Sequence, residues 1–260
     1  MLNCLNTCLT IQAPFFLHQP LYLKTAVILN IKKPQFLFSI LFVLLVNIVF
    51  SQQTYQLGIL PSFNLNTKLI NDWSVNTKIE SRQLLQRGEW GGTADQQYNY
   101  VLTDLSLIAG KKIGLNSRVG AGYLIRFEEG QRIHRFIQQF IIVQRKSGYR
   151  LAHRLLTDQT FSTIESPQFR LRYRITAEIP LNGESVDPKE FYLKLNNEYL
   201  NSFQSPDYDL ELRLVPLLGY DIAANNKLEM GLDYRVNSFL NQNAEHSFWV
   251  SLNWFIEIGK

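Results

Sequence analysis

The chain has 260 residues, 46% hydrophobic and 18% charged, with 26 basic and 22 acidic side chains and two cysteines. That is long enough for one sizeable domain and does not require two. Three of the basic residues, Lys24, Lys32 and Lys33, fall in an N-terminal stretch without Asp or Glu, leaving 23 basic against 22 acidic residues beyond it. Near-neutrality removes the electrostatic motive for nucleic-acid binding. Cys4 and Cys8 lie in the same stretch, so neither disulfides nor thiolate chemistry is available to the rest.

In chain order, the first element is a leader. Lys32 and Lys33 precede the apolar run FLFSILFVLLVNIVF, which gives way to SQQ. A positive start, a short apolar run and a small residue before a polar segment predict a secretory signal peptide over about 32–51, cleaved near Ser51. The run is too short for a spanning helix. No Cys follows it, so a lipoprotein precursor is not expected. Residues 1–30 show no periodicity and read as an over-extended gene start. The remaining residues, 52–260, form the single predicted domain.

That domain is expected to be all-β. Strands are predicted near 54–66, 72–83, 98–110, 113–127, 132–145, 149–161, 167–179, 190–200, 208–221, 226–236 and 246–258. Most alternate with period two. In VGAGYLIRF, Val119, Ala121, Tyr123, Ile125 and Phe127 oppose Gly120, Gly122 and Arg126. In KLEMGLDYRV, Leu228, Met230, Leu232, Tyr234 and Val236 oppose Lys227, Glu229, Gly231, Asp233 and Arg235. Three features predict an antiparallel up-and-down transmembrane β-barrel over a soluble sandwich. Many strands exceed the usual five or six residues and reach the nine to eleven that a tilted spanning strand needs. Tight connections at 111–114, 146–148 and 223–226 alternate with longer ones at 84–97, 201–207 and 237–245. Tyr55, Trp73, Tyr98, Tyr149, Tyr220 and Trp254 lie near strand ends, as interfacial girdles require.

The stretch FRLRYRITAEI fixes the register. Phe169, Leu171, Tyr173, Ile175 and Ile179 share one parity, and Arg170, Arg172 and Arg174 the other. An arginine facing lipid near the midplane costs about 2–4 kcal/mol, so the three must point inward. Their expected partners form a lumenal charge network of Arg150, Arg154, Asp158, Arg170, Arg172, Arg174, Glu178, Glu198, Glu211 and Arg213, a candidate ion or ligand path. The strand count is uneasy. Eleven strands are found, whereas bacterial single-chain barrels use even numbers. Pro61 suggests that the first strand is not a full one. Ten to twelve are expected.

RIHRFIQQF (132–140), YRLAHRLLTDQTF (149–161), FRLRYRI (169–175), YLKLNNEYLNSF (192–203) and LGYDIAANNKLEMGLDYRV (218–236) resemble the bacterial family catalogued as domain of unknown function 2490. The resemblance covers about residues 53–258. It implies an outer-membrane β-barrel of diderm bacteria with no assigned activity. Asp158 stands where the family pattern leads one to expect Glu. The chain ends in IGK, whereas many barrels end on an aromatic residue.

The other candidate sites are weaker. His153 has outward parity, and some outer-membrane lipid hydrolases carry a catalytic His on the outer wall. However, no Ser is placed to complete a nucleophile–base pair, so an interfacial histidine is the plainer reading. His134, His153 and His246 are too scattered for a metal site. Gly91 and Gly92 follow no α/β pattern and read as an external loop. Asn197 and Glu198 read as lumenal hydrogen-bonding groups. No cofactor, metal or nucleic-acid partner is expected. The expected partners are outer-membrane lipid and, during biogenesis, the barrel-assembly machinery. The sequence leaves three readings: a non-enzymatic barrel acting as narrow channel, binding or structural protein in the bacterial outer membrane; an outer-membrane lipid-modifying enzyme of the hydrolase or deacylase kind; or a soluble periplasmic binder. The first is preferred. Whether the lumen is open, and whether barrels associate, is left open.

Overall fold

The computed structural model describes residues 54–240 and 244–259. The predicted leader lies outside them. The described residues form eleven strands and no helix. These are β1 (Thr54–Lys68), β2 (Trp73–Glu89), β3 (Ala94–Lys112), β4 (Ser117–Glu128), β5 (Gln131–Lys146), β6 (Tyr149–Phe161), β7 (Gln168–Pro180), β8 (Phe191–Gln204), β9 (Asp207–Ala223), β10 (Asn226–Asn237) and β11 (Glu245–Ile258). Each pairs with its neighbours in sequence, and β1 pairs with β11 to close the barrel.

The closing pair corrects the expectation of a wholly antiparallel barrel. An odd number of strands brings the first and last together in the same direction, and Tyr55–Thr67 run parallel to His246–Ile258. The uneasy count was therefore sound, and closure absorbs it. β1 is also a full strand despite Pro61. The proline lacks an N–H, and the β1–β2 ladder skips the Leu60–Pro61 step before resuming in the same register. Pro216 leaves a similar gap between β9 and β10.

Parallel ladders are slightly weaker per residue than antiparallel ones. Here the seam gains a second set of bonds from inward side chains. Gln56 Nε2 donates to Ser247 Oγ at 2.6 Å, Ser62 Oγ to Asn253 Oδ1 at 2.6 Å, and Asn66 Nδ2 to Glu257 Oε2 at 2.9 Å. Lys68 pairs with the same glutamate. Asn253→Ala takes away the acceptor of the buried Ser62 hydroxyl, leaving it only the bond it accepts from Asn64 Nδ2 at 3.2 Å, and is expected to cost about 1 kcal/mol. The urea midpoint of the folded barrel measures it, and an unchanged midpoint would mean that the seam's side chains contribute nothing.

The connections differ from the expected short–long alternation. Residues 84–89 and 94–97 belong to the β2–β3 hairpin, and 201–204 to β8. The longest connection, 181–190, lies at the end of the barrel that also carries the tight 147–148 and 224–225 turns. It folds onto its neighbours: Gly148 N donates to Glu184 O, and Asp221 N to Glu190 O. At the opposite end, β4 and β5 are joined by Glu129 and Gly130 alone, with φ of 49° and 77°. Positive φ at both positions is the type I′ geometry whose twist matches a hairpin.

Alternation sorts the side chains. Exposed residues on the outer wall include Leu107, Phe136, Phe140, Leu155, Leu193, Leu195, Leu214, Leu218, Met230, Leu232, Val250 and Leu252. A continuous apolar surface of this size is unusual on a water-soluble monomer. Outward aromatic pairs gather near both ends, with Phe191 against Tyr220 and Phe63 against Trp254 at one, and Phe203 against Tyr208 and Trp90 against Phe248 at the other. The interior has only small apolar clusters: Leu60, Leu84 and Trp249 in one place, and Leu124, Ile137 and Leu156 in another. Among the described residues, other buried apolar side chains, such as Leu102, Tyr192, Leu200 and Leu217, are interspersed with a larger set of buried polar and charged ones.

Candidate functional site

The inward faces of β5–β9 build an arginine wall. Its geometry follows from register. Arg154 on β6 lies beside Arg174 on β7, Arg174 beside Glu198 on β8, Glu198 beside Arg213 on β9, and Arg213 beside Arg235 on β10. Like charges directly opposite on adjacent strands repel. One carboxylate in the middle of the row resolves this. Glu198 Oε2 meets Arg174 Nε at 2.6 Å and Arg154 Nη2 at 3.1 Å, while its Oε1 lies 3.3 Å from Arg213 Nη1. Arg213 Nε also holds Glu211 at 2.5 Å. Arg235 is neutralised on its own strand by Asp233, through two bonds of 2.8 Å.

A second centre lies one rung away. Asp158 is 0% exposed and faces three guanidiniums. Arg170 Nε reaches its Oδ1 at 2.7 Å, Arg172 Nη2 its Oδ2 at 2.9 Å, and Arg135 Nε its Oδ1 at 3.4 Å. Arg135 Nε also donates to Thr160 Oγ1 at 2.9 Å.

These contacts bring together eight of the ten residues named from sequence: Arg154, Asp158, Arg170, Arg172, Arg174, Glu198, Glu211 and Arg213. The other two, Arg150 and Glu178, pair with each other at 2.6 Å beside the 147–148 turn, near one end of the barrel. Asn197 is a correction. Neighbouring residues on a strand face opposite ways. Because Glu198 points inward, Asn197 points outward, where its amide donates to the Arg213 carbonyl at 3.3 Å.

Sequence reasoning missed the other half of the charged interior. Arg126 grips Asp104 with two bonds of 2.8 and 2.9 Å, Lys78 and Arg82 flank Glu80, and Lys194 holds Glu229 at 2.7 Å. The spacing Lys78, Glu80, Arg82 carried the signal, since alternate positions share a face. These residues and the arginine wall enclose a cavity of about 610 Å³ lined from all eleven strands. Opposite the arginines it is lined by neutral polar groups, among them Gln56, Asn64, Asn66, Ser251 and Asn253.

Outside the cavity, three histidines share one motif. His134, His153 and His246 each bring Nδ1 to the hydroxyl of a tyrosine on an adjacent strand: Tyr123, Tyr173 and Tyr234. The rings stack. The ladder neighbours of His153 are Ile142 and Ile175, so the hydroxyl it engages is a phenol.

Fold and interior together define the class: a closed β-barrel with an apolar, exposed outer wall and a charged, polar inside. Residues 57–256 match the family described as protein of unknown function (DUF2490), and the chain belongs to that family. The match runs from β1 into β11. No curated protein and no solved structure matches the chain.

Proposed function

We propose that the chain is an outer-membrane β-barrel whose interior is a narrow, non-enzymatic path for small solutes. The observation that carries this reading is the inversion of an ordinary domain: apolar side chains outside, and ion pairs around a polar cavity inside. Closure leaves no free sheet edge around the barrel wall, as lipid demands. Strands of 12–19 residues are long enough to cross a bilayer at a tilt. The aromatic pairs near both ends suit two interfacial girdles. The predicted signal peptide supplies the route, lipid is the partner of the outer wall, and the barrel-assembly machinery inserts it. The lipid-modifying reading has less support, because the hydrogen-bond partner of His153 is Tyr173 rather than a serine.

The test uses the full chain expressed in a diderm host. The protein is expected in the outer-membrane fraction, with a heat-modifiable band and discrete current steps in a planar bilayer. Recovery as a freely soluble protein would overturn the membrane reading. An inserted but silent protein would overturn the channel and leave a binding or structural barrel.

A further inference from the structure

The arginine wall has more positive charge than its carboxylates absorb. We propose that it is a binding site for a small, multiply charged oxyanion of the phosphate class. The inference rests on the cavity described above and deepens the channel reading without depending on conduction.

The carboxylates that line the cavity are already engaged. Glu211 is held by Arg213, Asp233 by Arg235, Glu229 by Lys194, Asp104 by Arg126, and Glu80 by Lys78 and Arg82. The guanidiniums are not all fully engaged. Asp158 and Glu198 each serve three arginines, and a carboxylate offers roughly four lone-pair sites to their fifteen N–H donors. Buried nitrogens are left over, as are Asp158 Oδ2 and Glu198 Oε1, whose contacts with the arginines are ion pairs and not aligned hydrogen bonds. Arg154 Nε, Arg170 Nη2 and Arg172 Nε have no hydrogen-bond partner among the described residues. All three arginines line the cavity. Arg170 is only 9% exposed. Arg118 also lines the cavity, with no carboxylate partner among the described residues.

An unpaired buried donor is costly, and because all three arginines line the cavity, a small rotation of their guanidiniums toward a cavity ligand relieves several at once. A tetrahedral oxyanion offers several acceptors in a compact volume and suits the planar fork of arginine. The facing wall of Asn64, Asn66, Ser251 and Asn253 carries no charge to repel it. Lysines would attract anions equally, but the fixed geometry of the guanidinium favours phosphate-like ligands over chloride.

The test is titration of the purified barrel in detergent with inorganic phosphate by calorimetry, followed by reversal potentials in a potassium chloride gradient. Saturable phosphate binding is expected, with chloride a weak competitor. Arg172→Gln should weaken it by about tenfold, the worth of one charge-assisted hydrogen bond. Arg174→Gln serves as a second variant if the first does not fold, since Glu198 then keeps Arg154 and Arg213. Exposed Arg87, on the β2–β3 hairpin, supplies the control: Arg87→Gln should change nothing. Phosphate binding by a silent barrel would uphold the site and overturn the channel. A conducting barrel with no saturable phosphate binding and no anion preference would overturn the site and uphold the channel. Binding that survives Arg172→Gln and Arg174→Gln undiminished would also overturn the site.

Discussion

Asp158→Ala is expected to destabilise the barrel by about 3–5 kcal/mol, the cost of leaving buried charges without their partner. The residue is 0% exposed and is the shared counter-ion of Arg135, Arg170 and Arg172. Removing it leaves three guanidiniums converging on an empty space, and none of them can lose its proton at accessible pH. Replacing a buried ion pair with apolar residues is often neutral, whereas removing one partner is not. A companion change separates the two cases. Arg172→Gln alone leaves Asp158 with two cations and should cost less than Asp158→Ala. Combining the changes should cost less than their sum, because Arg172→Gln removes one of the cations that Asp158→Ala leaves without a counter-ion. Urea unfolding monitored by tryptophan fluorescence measures all three. Strict additivity would show that the arginines and Asp158 act independently, contrary to the contacts between them.

The parity of FRLRYRI made the inward placement of Arg170, Arg172 and Arg174 legible from sequence, because a period of two leaves only one other option. Asp158 and Glu198 could be named from the same parity on neighbouring strands. What sequence could not supply was the rung, meaning which residue of one strand stands beside which of the next. The row Arg154–Arg174–Glu198–Arg213–Arg235 depends on four separate registers, each set by a turn length. The missed half of the charged interior has a local cause. β2 is irregular after Arg82, where the β2–β3 register shifts twice. Leu84 continues the inward parity of Lys78, Glu80 and Arg82 and packs against Leu60 and Trp249, so the charged face runs straight into an apolar one and reads less clearly as a charged ladder. Loop lengths failed for a similar reason. The polar segments 84–97 and 201–207 look like loops, yet hairpin pairing continues through most of them. Closure was beyond reach because the parallel β1–β11 pair joins residues 191 positions apart.

The outer wall supports the other large prediction. Leu195→Arg is expected to cost about 2–4 kcal/mol of folding free energy in phospholipid vesicles, the penalty for arginine near the midplane of a lipid-facing barrel wall. Leu195 is 46% exposed near the middle of β8, between Ala177 on β7 and Pro216 on β9. No described residue covers its exposed outer side, so the surroundings of that side are supplied by the solvent. The substitution therefore measures what that solvent is. In water, an exposed leucine can become an arginine at a cost within about 0.5 kcal/mol. In hydrocarbon, the guanidinium must snorkel or draw water down to it. Asn197, two residues further on the same face, shows how the fold manages an outward polar group: its amide is tied to the Arg213 carbonyl. An arginine at 195 carries a full charge that a backbone carbonyl does not neutralise. Urea titration of the vesicle-inserted protein reads the difference. A cost of about 2 kcal/mol or more assigns the wall to lipid. A cost within about 0.5 kcal/mol assigns it to water, and the membrane reading falls with it.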